Sequence, residues 1–166
     1  MHFARLFKIR GGYTMRLIFV IALFASILPS VAFCEPDGRL ARCEPFRHAV
    51  TQILRENGLP DRLYYLMVAE SGCAAPDVRS HKGAVGFWQL VPATGKAHGC
   101  EALEDLECAT RAAASYLKDL STRFHGDGII AAYNQGGHNL AKHGMTAEAR
   151  GLIQTVRKLE EQDKER

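Results

Sequence analysis

The sequence lacks the features that mark several other classes of protein. It contains no repeat of solenoid length and no low-complexity tract. Strand-like alternation of apolar and polar residues is nearly absent, while apolar residues recur at helical spacing. The composition, 47% hydrophobic and 23% charged over 166 residues, is that of a globular protein with room for one domain. We therefore expect a domain that is mainly α, with minimal or no β-structure.

Long apolar runs are missing except near the N-terminus. Residues 17–28 form an uncharged stretch that is shorter than the roughly 20 residues needed to cross a bilayer. Basic residues precede it, and Ser30-Val31-Ala32 follows with small side chains where a signal peptidase cuts. This pattern predicts a secretory signal peptide over residues 1–32, with Met15 as a second possible start and a periplasmic or secreted product. An uncleaved N-terminal anchor is the alternative.

The chain after residue 32 also lacks an excess of basic residues. The whole chain has 21 basic and 18 acidic residues, a net charge of +3. Four of the basic residues and none of the acidic ones lie in residues 1–32, which leaves 17 against 18, or −1. The charge therefore gives no support for nucleic acid as a partner.

The cysteines lack the paired spacing of a metal site. In an exported protein they are better interpreted as disulfide partners. His98 and Cys100 with Cys108 could imitate a zinc site, but no second pair accompanies them, so we predict no metal ligands. Lipidation of Cys34 is disfavoured because bulky Phe33 precedes it, where lipoprotein processing requires a small residue.

Helix arrangement suggests which cysteines pair. Two tightly joined antiparallel helices bring the start of the first beside the end of the second, which places Cys43 near Cys73. Cys100 and Cys108 flank one loop, so they are the natural second pair and Cys34 is left over. Spacing alone leaves other two-bridge arrangements open.

Five regions of the chain have recognisable local patterns. Residues 46–54 have apolar side chains at helical spacing, and Gly58 followed by Pro60 predicts a helix end and a new start. Residues 72–83 have the composition of an irregular loop. A helix is expected over 106–124, with Tyr116 in its buried stripe, and another over 146–162, which Thr146 begins as its cap. The helix expected over residues 60–71 has one face formed by Leu63, Leu66, Met67 and Glu70.

Glu70 is the candidate for chemistry, because a carboxylate on an apolar face breaks the local pattern. Cleavage of a glycosidic bond requires a carboxylic acid that is still protonated near neutral pH. Apolar neighbours raise the pKa of a carboxyl group by desolvation, and this helix face supplies them. The alternative is that Glu70 caps or pairs at a helix end, as most single glutamates do.

Three motifs in order favour the catalytic interpretation. They are Glu70-Ser71-Gly72, residues 83–95 (GAVGFWQLVPATG) and residues 132–136 (AYNQG). In this order and spacing they resemble the soluble lytic transglycosylase (SLT) domain family, over about residues 44–137. The aromatic form Gly86-Phe87-Trp88-Gln89 is most similar to the branch typified by membrane-bound lytic murein transglycosylase D.

The resemblance implies a lysozyme-like fold over residues 44–166, after an N-terminal segment at 33–43, and an activity on peptidoglycan without a cofactor. The family cleaves the bond between N-acetylmuramic acid (MurNAc) and N-acetylglucosamine (GlcNAc) and closes a 1,6-anhydro ring without water. Glu70 matches its single acid and base. No second carboxylate lies in the matched motifs, and Asp77 and Asp127 are interpreted as solvated loop acids.

The resemblance also implies a set of substrate-binding residues. Gln89, Asn134 and Ser80 would contact N-acetyl groups, and Tyr133 would hydrogen-bond the glutamate or a sugar. Ser71 belongs to the set through its place beside the acid.

Two members of the set have competing structural roles. Trp88 would form a stacking wall for a sugar ring or, equally, fill the core beneath the groove. Gly86 would let the backbone approach the substrate or simply make a turn.

The chain departs from the family pattern in three places. The stretch from Glu70 to Ser80 is one residue longer than usual, and Cys73 replaces an aromatic residue. Residues 148–152 (EARGL) replace the usual Glu-Thr-x-x-Tyr, so the groove tyrosine is missing. Two alternatives therefore stay open: a hydrolytic muramidase or chitinase on the same fold, or a non-catalytic wall-binding accessory of a transport or secretion apparatus.

Overall fold

A computed structural model of the chain describes residues 37–166, which belong to one compact unit. The predicted signal peptide, its possible start at Met15 and Cys34 lie outside the described residues. The helices are α1 (Gly38–Cys43), α2 (Arg47–Glu56), α3 (Tyr64–Ser71), α4 (Pro92–Ala97), α5 (Leu106–Ser121), α6 (Asp127–Gln135), α7 (Gly137–His143) and α8 (Ala147–Lys164), with short 3-10 helices at Glu44–Phe46 and Asp61–Leu63.

The predicted helix pair before the acid is present. Helix α2 buries Val50, Ile53 and Leu54, and its chain reverses through Gly58, whose φ of 71° suits a residue without a side chain. The second helix begins as a 3-10 turn after Pro60 and becomes α-helical at Tyr64. This short connection places the C-terminal end of α3, and with it Glu70, back beside α1.

A disulfide fixes that end of α3. Cys43 and Cys73 are bonded, with their Cα atoms 5.3 Å apart, as the helix-pair argument predicts. Arg42 Nε also donates a hydrogen bond to the carbonyl of Gly72 at 3.0 Å. Gly72 ends the helix at a φ of 56°, and a Cβ there would lie 2.7 Å from Arg39 Cγ. The turn after the candidate acid is therefore held from α1 by a covalent bond and a hydrogen bond.

The core forms where the longer helices meet. Helix α8 packs against α3 and α6, and α5 packs against α2 and α6. Thr146 caps α8 by accepting a hydrogen bond from Ala149 N at 3.1 Å, as the sequence predicts. The buried face of α8 consists of Ala149, Ile153, Val156 and Leu159.

The loop between α3 and α4 is irregular, and residues 37–166 contain no β-strand. Two isolated bridges, Arg79 with Val85 and Val85 with Leu90, fold the loop back on itself. Further on, Cys100 and Cys108 form the second predicted disulfide, so these thiols are bonded to each other. No helix in the described part combines the length and apolar character needed to span a bilayer.

Candidate active site

A cavity of about 350 Å³ lies where α3, α4, α5, α6, α8 and the loop before α4 meet. The end of α3 contributes Glu70, the loop before α4 contributes one wall, and the end of α6 contributes Tyr133 and Asn134. The first turn of α8 completes the enclosure with Glu148. Helix packing therefore brings together residues of all three sequence motifs and five residues outside them: Ser80, His81, Lys82, Tyr116 and Glu148.

Glu70 is largely buried at this cavity. Burial raises the pKa of its carboxyl group from 4.5 to about 7, and the negative charge of Glu148 adds to the rise. Glu70 is thus poised between its protonated and ionised forms near neutral pH, which suits a group that first gives and then takes a proton.

Tyr133 lines the cavity with its ring, but its hydroxyl group is already used. It donates a hydrogen bond of 2.7 Å to the backbone carbonyl of Trp88, so it does not bond Glu70. Burial raises the pKa of the Tyr133 hydroxyl well above its usual value, and nearby Glu70 contributes. The expected hydrogen bond to the glutamate is therefore replaced by one that ties α6 to the loop wall.

Trp88 fills the core beneath the groove and does not form a stacking wall for a sugar ring. Its side chain is 0% exposed, and its Nε1 donates a hydrogen bond of 3.0 Å to Thr110 Oγ1 on α5. A side chain without solvent access cannot stack on a sugar, so its place among the substrate-binding residues is corrected. It supports the wall from behind.

Gly86 and Ser71 also serve the fold and do not line the cavity. Gly86 is buried at a φ of 75°, and a Cβ there would lie 2.2 Å from the Leu103 carbonyl oxygen, so the close approach is to another loop and not to a ligand. The Ser71 hydroxyl accepts a hydrogen bond of 3.1 Å from Cys73 N. It organises the turn after the acid.

Ser80 and Gln89 line the cavity, as expected, while holding its loop wall in shape. The Ser80 hydroxyl accepts hydrogen bonds from the backbone N–H groups of Lys82 and Ala84. Gln89 has a φ of 47°, and its Nε2 donates to the carbonyls of Gly86 and Val78 at 2.9 and 3.2 Å. Both amide hydrogens of Gln89 are thereby used, which leaves its Oε1 to accept from a ligand.

Glu148 is a cavity residue that the sequence argument did not assign to the site. Its carboxylate lies 2.9 Å from Lys82 Nζ, and this hydrogen bond is the main reason that its pKa is lowered; a hydrogen bond from Asn134 contributes. A second carboxylate therefore lies at the cavity, outside the matched motifs, which contain only Glu70. The sequence signal was present, because Glu148 begins the segment that departs from the family pattern, but an acid near a helix start also fits a capping role.

Tyr116 and Val91 give the cavity an apolar side. Tyr116 was assigned to the buried stripe of α5, yet it is only half-buried and lines the cavity. Its ring centroid lies 5.6 Å from that of Tyr133 and 5.2 Å from that of His98. Val91, 46% exposed, lines the same cavity. Exposed apolar and aromatic groups beside polar ones suit a sugar ring, which has both kinds of surface.

The described part of the chain contains no cluster of side chains that could bind a metal ion. Among residues 37–166 no three His, Cys, Asp or Glu side chains come together as a metal site would require. Asp127 lies away from the cavity, where it pairs with Arg62 and Arg157.

Comparison with curated proteins connects this site to known relatives. The chain is 31% identical over 118 residues to membrane-bound lytic murein transglycosylase D of Escherichia coli, covering 66% of this chain and 26% of that protein. It is 35% identical over 104 residues to a putative tributyltin chloride resistance protein of Alteromonas sp., covering 58% of this chain and 50% of that one. The chain thus spans between a quarter and a half of the length of these relatives.

Comparison with solved structures supports the fold. An inactive mutant of lytic transglycosylase Slt from Pseudomonas aeruginosa superposes with a TM-score of 0.64 at 21% identity, over 85% of this chain and 28% of that one. This likeness confirms the expected mainly α, lysozyme-like fold. Residues 50–156 match the family described as the transglycosylase SLT domain. The chain belongs to the transglycosylase SLT domain family.

Proposed function

We propose that this chain is a lytic transglycosylase that cleaves the MurNAc–GlcNAc bond of peptidoglycan and forms 1,6-anhydro-MurNAc. The observation that carries the proposal is the burial of Glu70 at the cavity, which raises the pKa of its carboxyl group to about 7. Membership of the family supports the reaction class. The E. coli relative is named for its action on murein.

In the proposed reaction Glu70 acts twice. Its proton goes to the glycosidic oxygen as the bond from MurNAc C1 to that oxygen breaks, and the GlcNAc end leaves as an alcohol. The Glu70 carboxylate then accepts the proton of the MurNAc 6-hydroxyl group as that oxygen bonds to C1. Glu70 ends protonated, no water is consumed, and the glycan is divided into two products.

The other cavity residues have binding roles in this scheme. Gln89 Oε1 is available to accept from an acetamido N–H, because its amide hydrogens are held by backbone carbonyls. Asn134 and Ser80 line the same space. Tyr116 and Val91 offer the apolar surface for a ring face.

Glu148 is the reason to consider hydrolysis as a second function. A hydrolase of the inverting kind needs a second carboxylate as base for water. Glu148 lines the cavity, but Lys82 and Asn134 occupy its carboxylate and lower its pKa, which makes it a weak base. The arrangement therefore favours the reaction without water.

Mass spectrometry of fragments released from purified peptidoglycan tests both functions. We expect products ending in 1,6-anhydro-MurNAc from the chain after Ala32, and none from Glu70→Gln. Reducing-end products, heavier by one water, would identify a hydrolase. If both the wild-type protein and Glu70→Gln sediment with the wall and neither releases fragments, the protein is a binding module.

We also propose that the protein acts outside the cytoplasm, in the periplasm or after secretion. Residues 1–32 have the pattern of a signal peptide. Two disulfides suit an oxidising compartment, which is also where peptidoglycan lies.

A further inference from the structure

One ion pair joins the two walls of the cavity. Lys82 lies on the loop wall and Glu148 in the first turn of α8, 66 residues apart in sequence, and both line the cavity that contains Glu70. Lys82 Nζ donates to both carboxylate oxygens of Glu148, at 3.1 and 2.9 Å. The contact therefore joins two residues that line the space a ligand would occupy.

The backbone beneath Lys82 is held in a tight turn. Ser80 N donates to the carbonyl of Ala84, and Gly83 N donates to the carbonyl of Ser80, each at 2.9 Å. The Ser80 hydroxyl accepts from Lys82 N and Ala84 N as well. These four hydrogen bonds fix the start of the Lys82 side chain.

The backbone beneath Glu148 is held equally well. Gln135 Oε1, at the end of α6, accepts hydrogen bonds from the N–H and the hydroxyl group of Thr146 at 2.9 and 3.1 Å. Thr146 in turn caps α8 through Ala149 N. Because both ends are fixed by backbone turns, only the two long side chains span the gap.

The pair itself is weakly held. The side chains of Lys82 and Glu148 are 60% and 64% exposed. Ion pairs so exposed contribute little stability and are screened by salt. Rotation of the side chains can therefore open the contact without any movement of the backbone.

We propose that the Lys82–Glu148 pair is a removable strap across the cleft, which competes with the glycan and opens when the glycan binds. The strap rests on the proposed function only for the identity of the ligand. It makes Lys82 and Glu148 determinants of binding strength, in addition to the effect of the Glu148 charge on the pKa of Glu70. Loss of the strap then tightens binding, whereas loss of a substrate contact would weaken it.

The test measures binding of soluble, purified peptidoglycan strands by calorimetry in a Glu70→Gln background, which removes cleavage. Lys82→Met and Glu148→Gln are each expected to tighten binding by up to about fivefold at low salt, which corresponds to about 1 kcal/mol. The gain should disappear at high salt, where the pair is already screened. The charge-reversed double variant, Lys82→Glu with Glu148→Lys, should restore the original affinity and its salt dependence.

Lys96→Met is the matched control. Lys96 forms a similarly exposed ion pair with Glu101, at 3.3 Å, and neither residue lines the cavity. This variant should bind as the Glu70→Gln parent does. Any general effect of removing a lysine is thereby subtracted.

Weaker glycan binding in both single variants would overturn the strap. The same would follow if the charge-reversed double variant bound with the affinity of the single variants and not with that of the parent. Absence of glycan binding in every variant would count against the proposed function and not the strap. The ion pair is then measured by NMR titration of the Glu148 carboxyl group, whose pKa Lys82 lowers. That pKa should rise in Lys82→Met and stay low in the Lys96→Met control, and an unchanged pKa in Lys82→Met would also overturn the strap.

Discussion

At the scale of single residues, the site consists of two carboxyl groups with opposite pKa shifts. The pKa of Glu70 is raised mainly by burial, and the pKa of Glu148 is lowered mainly by its hydrogen bond with Lys82. The fold thus makes one acid that keeps its proton near neutral pH and one that does not. The surrounding side chains hold this difference in place, because Tyr133 and Gln89 give their hydrogens to backbone carbonyls and not to Glu70.

The pH dependence of cleavage should report the protonation of Glu70. As the proton donor, Glu70 is competent below its pKa of about 7, so kcat/KM should fall as the pH rises through that value. Glu148→Gln removes a negative charge that raises this pKa, and should move the alkaline limb to lower pH. A limb that stays in place in Glu148→Gln would show that the two groups are not coupled.

The free energy of unfolding should also depend on pH through the raised pKa of Glu70. Because the pKa of Glu70 is raised in the folded state, the folded chain keeps a proton that the unfolded chain loses between pH 4.5 and about 7. The free energy of unfolding should therefore fall as the pH rises through this interval and stay level above it. Glu70→Gln removes this loss and should be more stable than wild type at pH 8, by at most about 3 kcal/mol.

Denaturant unfolding at two pH values measures this difference. The two proteins should differ little at low pH, where Glu70 is protonated in both states. Equal stability at pH 8 as well would mean that burial does not penalise the Glu70 carboxylate.

At the scale of elements, the helices follow from sequence and the loop wall does not. Apolar spacing and the Gly58–Pro60 signals predict α2 and α3 to within a few residues, and Thr146 predicts the start of α8. The roles of Trp88 and Gly86 depend on what lies behind them, Thr110 and Leu103, which no local pattern contains. The Lys82–Glu148 contact was missed for the same reason, since it joins residues 66 positions apart.

The two disulfides should contribute unequally. Cys43–Cys73 closes a separation of 30 residues and Cys100–Cys108 one of 8, so loop entropy predicts losses of roughly 3–4 and 2–3 kcal/mol when each pair is changed to alanine. Only the first bridge holds the turn after Glu70, so only its removal should also lower kcat in the folded protein.

Denaturant unfolding and cleavage assays on the two double-alanine variants check this prediction. The Cys100–Cys108 variant is the control, because it loses a bridge without touching the Glu70 turn. Equal kcat in wild type and the Cys43→Ala, Cys73→Ala variant would show that the bridge stabilises the fold and does not position the acid.

At the scale of the whole molecule, the described chain is a set of helices around the cavity that contains Glu70. The mainly α fold could be predicted because helical periodicity is local. Glu70 could be singled out as a candidate because an acid on an apolar helix face breaks the local pattern. Which residues line the cavity could not be predicted, because this depends on how α8 packs against α3 and α6. Sequence distance hides what packing brings together.

Processing of the exported chain is the prediction at this scale. If residues 1–32 are a signal peptide, N-terminal sequencing of the exported protein should begin at Phe33. Replacing Ala32 by a bulky residue such as Trp should block the cut, because the peptidase requires a small side chain there. A mature protein that still begins at Met1 or Met15 would favour the anchor instead.

The docking of α8 has a consequence for the order in which the protein becomes active during its synthesis. The acid at position 70 leaves the ribosome long before Glu148 and the buried face of α8. Until that last helix packs against α3, Glu70 lies open to water, where a glutamate ionises at its ordinary pKa and is a poor proton donor at neutral pH. A nascent or prematurely ended chain therefore contains the candidate acid without its raised pKa, and under the proposed function such fragments should not cleave glycan.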